Sequence, residues 1–363
     1  MNSVYQIIAT TGSSLIIVTA LMPLVLKISH KFRWYADKHP RKIHTNDLPH
    51  IGGTGLFIAA TLSVALYYIL DGLIFKGGGA SFGKFLPLLV AYLLIHVTGL
   101  VDDFTDMHAR YKFFIQFAVA AVLAFMGYTI RAVELPWSDI TIHLGAGAYI
   151  VTILWLAGAS NAINFIDGMD GLAAGVSAIA ALVYGIVFLI IGSSTSAFIA
   201  FALLGALIGF LLFNSPPAKI IMGDCGAIYL GFFLGSLPLL EHSGTSTLLG
   251  IMIPFSLLLF PVMDTASAIL RRIRRKVSII KPDREHTHHK LLDLGLSQRQ
   301  ILAITYLLEL LPCSAIIVWA ATGNRNCFWF LLATWIVMIT FFIVLDVIYH
   351  RREKTRPQPA KNA

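Results

Sequence analysis

The sequence predicts an all-α fold, a polytopic membrane bundle of about eleven transmembrane helices, and three observations support this. Of the 363 residues, 57% are hydrophobic and only 13% are charged, whereas a soluble domain is usually about one-quarter charged. The chain contains repeated apolar runs of about 20 residues, the length that a membrane-spanning helix needs. Such runs are too long and continuous for the strands of a transmembrane barrel, which alternate in polarity.

The apolar runs define one membrane domain over residues 1–350, followed by a short polar cytoplasmic tail over 351–363. The first run lacks a basic segment before it and a cleavage site after it, so we expect a retained helix and no signal peptide. Pro254 and Pro261 fall inside the ninth run, where each removes a backbone donor, so we expect that helix to be bent or broken. The predicted spans are 5–27, 51–71, 84–101, 113–129, 147–166, 171–192, 196–213, 220–240, 246–270, 301–322 and 327–349.

The distribution of positive charge predicts the orientation of the bundle. With eleven spans, 23 of the 27 Lys and Arg residues lie on the side that holds the C-terminus. The positive-inside rule therefore predicts an outside N-terminus and a cytoplasmic C-terminus. These basic residues flank membrane helices, which argues against nucleic-acid binding. The three cysteines are too few and too scattered for a disulfide framework or a thiolate metal site.

Carboxylates lie at the ends of several runs, all on the predicted cytoplasmic side. Asp102 and Asp103 end the third run, Asp167 and Asp170 follow the fifth, and Asp224 begins the eighth. A carboxylate inside a membrane helix costs roughly 2.5–3.5 kcal/mol, so such groups usually have a function. The cluster predicts a metal or phosphate site at the membrane surface.

The clearest spacing is that of Asn161, Asn164, Asp167 and Asp170, which recur every three residues. On a helix or helical turn this spacing places side chains roughly along one face. Oxygen donors of this kind suit a hard cation such as Mg²⁺. The alternative is a polar turn between two helices.

The other acidic motifs allow two interpretations each. Asp102 and Asp103 are adjacent, so at most one can point at a given ligand, and the pair is also compatible with a solvated helix end. Asp224 is flanked by glycines, and it either caps the eighth helix or ligates a metal.

A dense polar segment follows the ninth run. Its basic stretch 271–276 is explained by the positive-inside rule and by contact with anionic lipid. The histidines that follow have no HExxH motif and no cysteine partner, which argues against zinc. Histidine and arginine fit better as donors to pyrophosphate oxygens. The residues concerned are Arg284, His286, His288 and His289.

Together, the motifs DD (102–103), NxxNxxDGxDG (161–171), MGDxG (222–226) and PDREHxHH (282–289) resemble the polyprenyl-phosphate N-acetylhexosamine-1-phosphate transferase family. The last motif is most similar to the bacterial undecaprenyl-phosphate GlcNAc-1-phosphate transferases. The resemblance implies transfer of GlcNAc-1-phosphate from UDP-GlcNAc to undecaprenyl phosphate, with release of UMP. It places this step at the cytoplasmic face of the plasma (inner) membrane, as the first membrane step of cell-envelope polysaccharide synthesis, such as lipopolysaccharide or teichoic acid. It also suggests a homodimer.

The resemblance assigns roles to particular residues. It implies that Asp102, Asp103 and Asp167 are catalytic. It implies that Asp224 and Asn164 are ligands for Mg²⁺, or for Mn²⁺ as a substitute. The residues that it assigns to substrate binding are Lys112, Asp170, Asn214, Arg284, His286, His288 and His289. Two alternatives stay open: the same reaction with another UDP-sugar such as UDP-MurNAc-pentapeptide, and a membrane transporter or flippase that uses the acids as an ion path.

Overall fold

The computed structural model describes residues 2–35, 48–70, 82–134, 137–138, 140–241, 251–278 and 285–355. The chain in these ranges is almost entirely helical. Its α-helices are α1 (Asn2–Phe32), α2 (Gly52–Leu70), α3 (Phe82–Thr105), α4 (Ala109–Phe125), α5 (Gly147–Ile166), α6 (Leu172–Ile190), α7 (Ser194–Asn214), α8 (Asp224–Ser236), α9 (Met252–Leu257), α10 (Leu259–Arg274), α11 (Thr287–Asp293), α12 (Gln298–Thr322) and α13 (Cys327–Thr355).

The all-α, polytopic class is confirmed, whereas the count of eleven spans and the orientation stay predictions. Within the described ranges, eight helices are long and apolar enough to cross a membrane: α1, α2, α3, α5, α6, α7, α12 and α13. The other three predicted spans are helical but shorter. Helix α4 has 17 residues, α8 has 13 and continues into a 3₁₀ turn (Leu237–Leu240), and the ninth run forms α9 and α10.

The ninth run is broken, as its two prolines predict. Helix α9 contains Pro254 and ends at Leu257, Leu258 leaves helical geometry with φ −122° and ψ 24°, and α10 begins at the next residue. Pro261 lies in the first turn of α10, where its missing N–H interrupts no helical hydrogen bond. The break thus separates a six-residue helix from a sixteen-residue helix that leads to the basic segment.

A small departure from the all-α prediction lies between α4 and α5. Strands β1 (Ala132–Glu134) and β2 (Thr141–His143) pair antiparallel, with Ala132 opposite His143. With three residues each, the strands close the loop between two helices and leave the helical class unchanged.

Helix α8 lies at the centre of the bundle. All its residues from Cys225 to Ser236 are buried, and it packs against α2, α3 and α5. Two glycines allow this close packing: a Cβ on Gly53 would lie 2.3 Å from the Gly226 Cα, and one on Gly99 would lie 2.5 Å from the Cys225 Cα. Small residues at helix crossings are common in membrane bundles, where they let backbones approach. The tight packing fixes where the N-terminus of α8, and hence Asp224, is placed.

Helix α13 extends past the predicted start of the polar tail. It runs through Arg351 to Thr355, and residues 356–363 lie outside the described ranges. Near this end Asp346 pairs with Lys290 of α11, and Tyr349 donates a hydrogen bond to Asp293 at 3.2 Å. The short helix α11 is therefore held against α13, and it also packs on α12.

Candidate functional site

Four helix ends meet at one end of the bundle and bring distant acidic and basic side chains together. The C-terminus of α3 carries Asp102 and Asp103, α4 carries Lys112 near its start, α5 carries Asn164 near its end, and α8 begins with Asp224. We call Asp102, Lys112, Asn164 and Asp224 the charged cluster. Of the acids that are predicted to lie together, Asp102 and Asp224 meet here, at Lys112.

Lys112 lies at the centre of the charged cluster. Its Nζ donates to Asp102 Oδ2 at 2.6 Å and to Asp224 Oδ2 at 2.5 Å. With the Asn164 amide in the orientation that satisfies both neighbours, its nitrogen donates to Asp224 Oδ1 and its oxygen accepts from Lys112 Nζ, each at 3.0 Å. One ammonium group thus binds two carboxylates and offsets the charge of one of them, which lowers the cost of placing both acids here.

The members of the charged cluster differ in their access to solvent. The Asp224 side chain is 35% exposed, whereas those of Asp102 and Lys112 are 9% and 12% exposed. Asp102 is further fixed because its Oδ1 accepts from the backbone N–H of Met107 at 2.8 Å. Asp224 is therefore the carboxylate that a ligand from solution reaches first.

Asp103 has a different partner from its neighbour. Its Oδ1 accepts from Asp224 N at 2.8 Å and its Oδ2 from Cys225 N at 3.0 Å. These are backbone N–H groups in the first turn of α8, which have no partner within that helix. Asp103 thus caps α8 from another helix, and Asp224 does not act as the cap. The two adjacent acids point at different partners, as their adjacency predicts.

The four residues spaced by three do not share one ligand, which corrects the prediction of a single face. Asn161 donates to Gln116 Oε1 at 2.5 Å and to the Ala157 carbonyl, so it faces α4. Of the four, Asn164 alone joins the charged cluster through a described hydrogen bond. Asp167 is the half-buried C-cap of α5. The α5 helix ends here, so the helical spacing does not continue through the turn.

Asp170 and Asn214 are buried and join two loops. Asp170 Oδ2 accepts from Ala218 N at 3.1 Å, and Asn214 Oδ1 accepts from Gly171 N at 3.0 Å. Asn214 also donates to the Ile220 carbonyl at 2.8 Å. These bonds hold the loop that leads to Asp224 against the turn after α5. A role in the nucleotide pocket stays a prediction for both residues.

The histidine segment, residues 286–289, lies against the turn after α5. A Cβ on Gly168 would lie 2.4 Å from His288 Nε2, and the His286 ring lies 5.8 Å from that of Phe165. Burial, together with the neighbouring His289, lowers the pKa of His288 to about 3, so this ring is neutral near pH 7. The His288 and His289 rings are 4.2 Å apart. Arg284 lies outside the described residues, as do residues 36–47 of the first loop.

Sequence reasoning missed two buried acids. Asp264 on α10 accepts from His286 Nδ1 at 2.7 Å, and Glu309 on α12 accepts from Phe260 N at 3.3 Å, beside the helix break. Each is the sole acid of its apolar run, 246–270 and 301–322. The free-energy cost of a carboxylate in such a run singles out both residues, as it does Asp102.

The oxygen atoms of the charged cluster fit a Mg²⁺ site that has few protein ligands. The Asp224 carboxylate is partly accessible, and the oxygen of the adjacent Asn164 amide accepts from Lys112 Nζ, so both oxygens are within the same cluster. Among the described residues, no three His, Cys, Asp or Glu side chains are grouped as a complete metal site. Mg²⁺ commonly binds through one or two carboxylates, substrate phosphates and water, so a complete protein cage is not required.

Comparison with known proteins gives a consistent result. A family model described as glycosyl transferase family 4 matches residues 85–241, which include the whole charged cluster. The chain is 34% identical to a probable undecaprenyl-phosphate N-acetylglucosaminyl 1-phosphate transferase of Bacillus subtilis, over 95% of this chain and 92% of the relative. It is 33% identical to a decaprenyl-phosphate N-acetylglucosaminephosphotransferase of Mycolicibacterium smegmatis, over 76% and 73%. It is 30% identical to a phospho-N-acetylmuramoyl-pentapeptide-transferase of Listeria welshimeri, over 74% and 83%.

Proposed function

The chain belongs to the polyprenyl-phosphate N-acetylhexosamine-1-phosphate transferase family, and from this premise we propose that it transfers GlcNAc-1-phosphate from UDP-GlcNAc to undecaprenyl phosphate. The products are undecaprenyl-pyrophosphoryl-GlcNAc and UMP. The relative that matches 95% of the chain is named for this acceptor and this sugar, which supports the choice of substrates.

The observation that carries the proposal is the charged cluster at one end of the bundle. Lys112 is shared between Asp102 on α3 and Asp224 on α8. A site for two phosphorylated substrates needs both positive charge and a place for a divalent cation. Since the cluster lies where membrane helices end, it is within reach of a water-soluble donor and a lipid acceptor together. A transporter would be expected to carry its acids near the middle of the membrane.

In this proposal the acceptor phosphate is the nucleophile. One of its oxygens attacks the β-phosphorus of UDP-GlcNAc, a new O–P bond forms, and the bond from that phosphorus to the bridging oxygen breaks as UMP leaves. The nucleophile is already an anion near pH 7, so a strong base is not obligatory. Catalysis is then mainly a matter of alignment and charge neutralisation.

The residues of the charged cluster divide this work. Lys112 turns its ammonium group from the carboxylates toward a phosphate of the substrates. Asp102 orients the acceptor phosphate or takes its remaining proton. Asp103 holds α8 in place through its two backbone hydrogen bonds, so Asp224 keeps its position. Asp167, Asp170, Asn214, Arg284 and the three histidines are assigned to the donor side of the site.

We further propose that Asp224 and Asn164 hold Mg²⁺, with Mn²⁺ as a substitute. When bound, the ion would neutralise the pyrophosphate and stabilise the departing UMP. The partly exposed Asp224 carboxylate and the adjacent Asn164 amide, whose oxygen accepts from Lys112, support this assignment.

The break between α9 and α10 offers a route for the prenyl chain. It interrupts a membrane helix beside α12 and α13, which pack against its two halves. We assign the outer surface of the helices beside this break to the lipid tail of undecaprenyl phosphate. The charged cluster would face the cytoplasm at the inner membrane, and the protein would act as a homodimer.

A related donor is the second candidate. The muramoyl-pentapeptide transferase of Listeria welshimeri, at 30% identity, supports the same chemistry with UDP-MurNAc-pentapeptide. The mechanism would be unchanged and only the sugar pocket would differ.

The test is an assay of the purified protein with labelled UDP-GlcNAc and undecaprenyl phosphate, with Mg²⁺ or with EDTA. With Mg²⁺ we expect labelled lipid and an equal amount of UMP. With EDTA we expect neither product. Product from UDP-MurNAc-pentapeptide alone would keep the reaction and overturn the donor. Absence of product with every UDP-sugar, in folded protein, would overturn the transferase proposal and favour a transporter.

A further inference from the structure

Asp264 is a buried carboxylate that binds the start of the histidine segment. It lies on α10, is 1% exposed, and accepts three hydrogen bonds. The donors are His286 Nδ1 at 2.7 Å, the Thr287 backbone N–H at 2.8 Å and Thr287 Oγ1 at 2.5 Å. Both carboxylate oxygens are therefore used, and α11 begins where Asp264 holds it.

These bonds determine where the proton on His286 lies. An ionised carboxylate only accepts hydrogen bonds, so Nδ1 of His286 must carry a proton. A neutral ring then has a lone pair on Nε2, and a protonated ring has a second N–H there. Within the described part of the chain, no hydrogen bond uses Nε2. Asp264 thus fixes one nitrogen of the ring and leaves the other for a ligand.

The His286 ring is also fixed in position. It lies nearly parallel to the His288 ring, at 6.1 Å and an interplanar angle of 7°, and 5.8 Å from the Phe165 ring. Phe165 follows Asn164 of the charged cluster directly in the sequence. Asp264 therefore connects α10, just beyond the helix break, to a ring at the edge of the proposed active site.

We propose that Asp264 is a positioning residue for the transfer reaction: it holds the Nδ1–H of His286 so that Nε2, once protonated from solvent, donates to an anionic oxygen of the donor pyrophosphate. This inference rests on the proposed function for the identity of the anion. A carboxylate that is hydrogen-bonded to one ring nitrogen fixes the tautomer and the orientation of a histidine. Removal of such a second partner typically lowers activity by roughly 10- to 100-fold.

The first test is the tautomer of His286, which does not depend on turnover. Protein labelled with ¹⁵N-histidine is studied by NMR in lipid nanodiscs without substrate, with His286→Gln to assign the signal. We expect a proton on Nδ1 in the wild-type protein. In Asp264→Asn the amide nitrogen faces Nδ1, so the proton should move to Nε2. A wild-type ring protonated on Nε2 alone would overturn the inference, whether or not Asp264→Asn folds.

The second test distinguishes a positioning role of Asp264 toward His286 from a purely structural role, in which Asp264 only holds α11 in place. Asp264→Asn should lower kcat/KM for UDP-GlcNAc by roughly 10- to 100-fold, with the KM for undecaprenyl phosphate unchanged. The matched control is Asp346→Asn, which alters the other carboxylate that binds α11, through Lys290, and should leave activity near wild type. Equal losses in both variants, or no loss in Asp264→Asn, would overturn the inference. Inactive wild-type protein that shows the expected tautomer would instead overturn the proposed function.

Discussion

Lys112 and Asp224 form an ion pair with an Nζ–Oδ2 distance of 2.5 Å, although 112 positions separate them in the sequence. The same ammonium group also binds Asp102. Two carboxylates and one lysine thus form a site with a net negative charge of one at the ends of membrane helices. This pairing connects the packing of α8 at the centre of the bundle to the proposed chemistry.

Substitution of Asp224 should stop the reaction without unfolding the protein. Asp224→Asn keeps the size of the side chain and an oxygen for Lys112, but it removes the charge assigned to Mg²⁺. We expect turnover to fall by at least roughly 10²-fold, the loss typical for one electrostatic group in an active site. The measurement is UMP release together with the melting temperature. The control is Asp293→Asn, which changes an aspartate of α11 that accepts a hydrogen bond from Tyr349 of α13. Near-normal turnover in Asp224→Asn would exclude the metal role.

Loss of the Lys112 charge should strengthen binding of a divalent cation in the absence of substrate. In Lys112→Met the ammonium between Asp102 and Asp224 is removed, so the carboxylates are free to attract another cation. Unit charges about 4 Å apart interact by roughly 4 kcal/mol at an effective dielectric constant near 20, so at least a tenfold increase in affinity is expected. The affinity is measured by titration with Mn²⁺, followed by electron paramagnetic resonance. We expect the turnover of the same variant to fall. The exposed Lys219→Met is the control, and unchanged Mn²⁺ affinity in Lys112→Met would contradict the shared site.

The crossing of α2 and α8 should not tolerate a methyl group. A Cβ on Gly53 would lie 2.3 Å from Gly226, so Gly53→Ala must displace backbone. Overpacking of this kind typically costs about 1–3 kcal/mol, and it also moves the start of α8. We expect a lower melting temperature in detergent and reduced turnover. Gly12→Ala on α1, where no atom lies within 4 Å of the added Cβ, should melt at or slightly above the wild-type temperature; similar melting of both variants would argue against this crossing.

The buried His288 ring predicts a pH dependence of stability. Its pKa of about 3 in the folded protein is below the value of 6.5 of a free histidine. Above pH 6.5 the ring is neutral in both states and contributes no pH dependence. Between pH 6.5 and 3 only the unfolded state binds the proton, so stability falls as the pH falls, by on the order of 1.4 kcal/mol per pH unit.

The contribution of His288 is obtained by comparison with a variant that does not titrate. Urea-unfolding midpoints of the wild-type protein and of His288→Gln should converge as the pH falls from 6.5 toward 4, because only the wild type loses this contribution. His143→Gln, at an exposed position on β2, should follow the wild-type curve at every pH. Parallel curves for the wild type and His288→Gln would show that the ring is not buried and neutral.

The sequence predicted most of the charged cluster, because its members follow or begin apolar runs that must end at a common surface. Asp102 and Asp224 could be grouped in this way, whereas Lys112 and the role of Asn164 came from the resemblance to the family. The break near Pro254 and Pro261 could be predicted from the missing backbone donors.

The remaining features depend on packing that no local pattern reports. Asp103 caps α8 only because Gly99 brings α3 close to that helix. Asn161 lies on α5 with Asn164 but faces Gln116 of α4. Asp170 lies beyond the end of α5 and binds the backbone of Ala218. The runs that form α4, α8 and the pair α9 and α10 also show that an apolar run does not determine how much of it forms one straight span.

The most direct test of the central claim follows the two phosphorus atoms of the donor. Purified protein with undecaprenyl phosphate and Mg²⁺ receives UDP-GlcNAc labelled with ³²P at either the α or the β position. Attack at the β-phosphorus predicts that the β label appears in the lipid product and the α label in UMP. If the β label stays in the nucleotide as UDP, the enzyme transfers the sugar without its phosphate, and the proposed reaction is wrong.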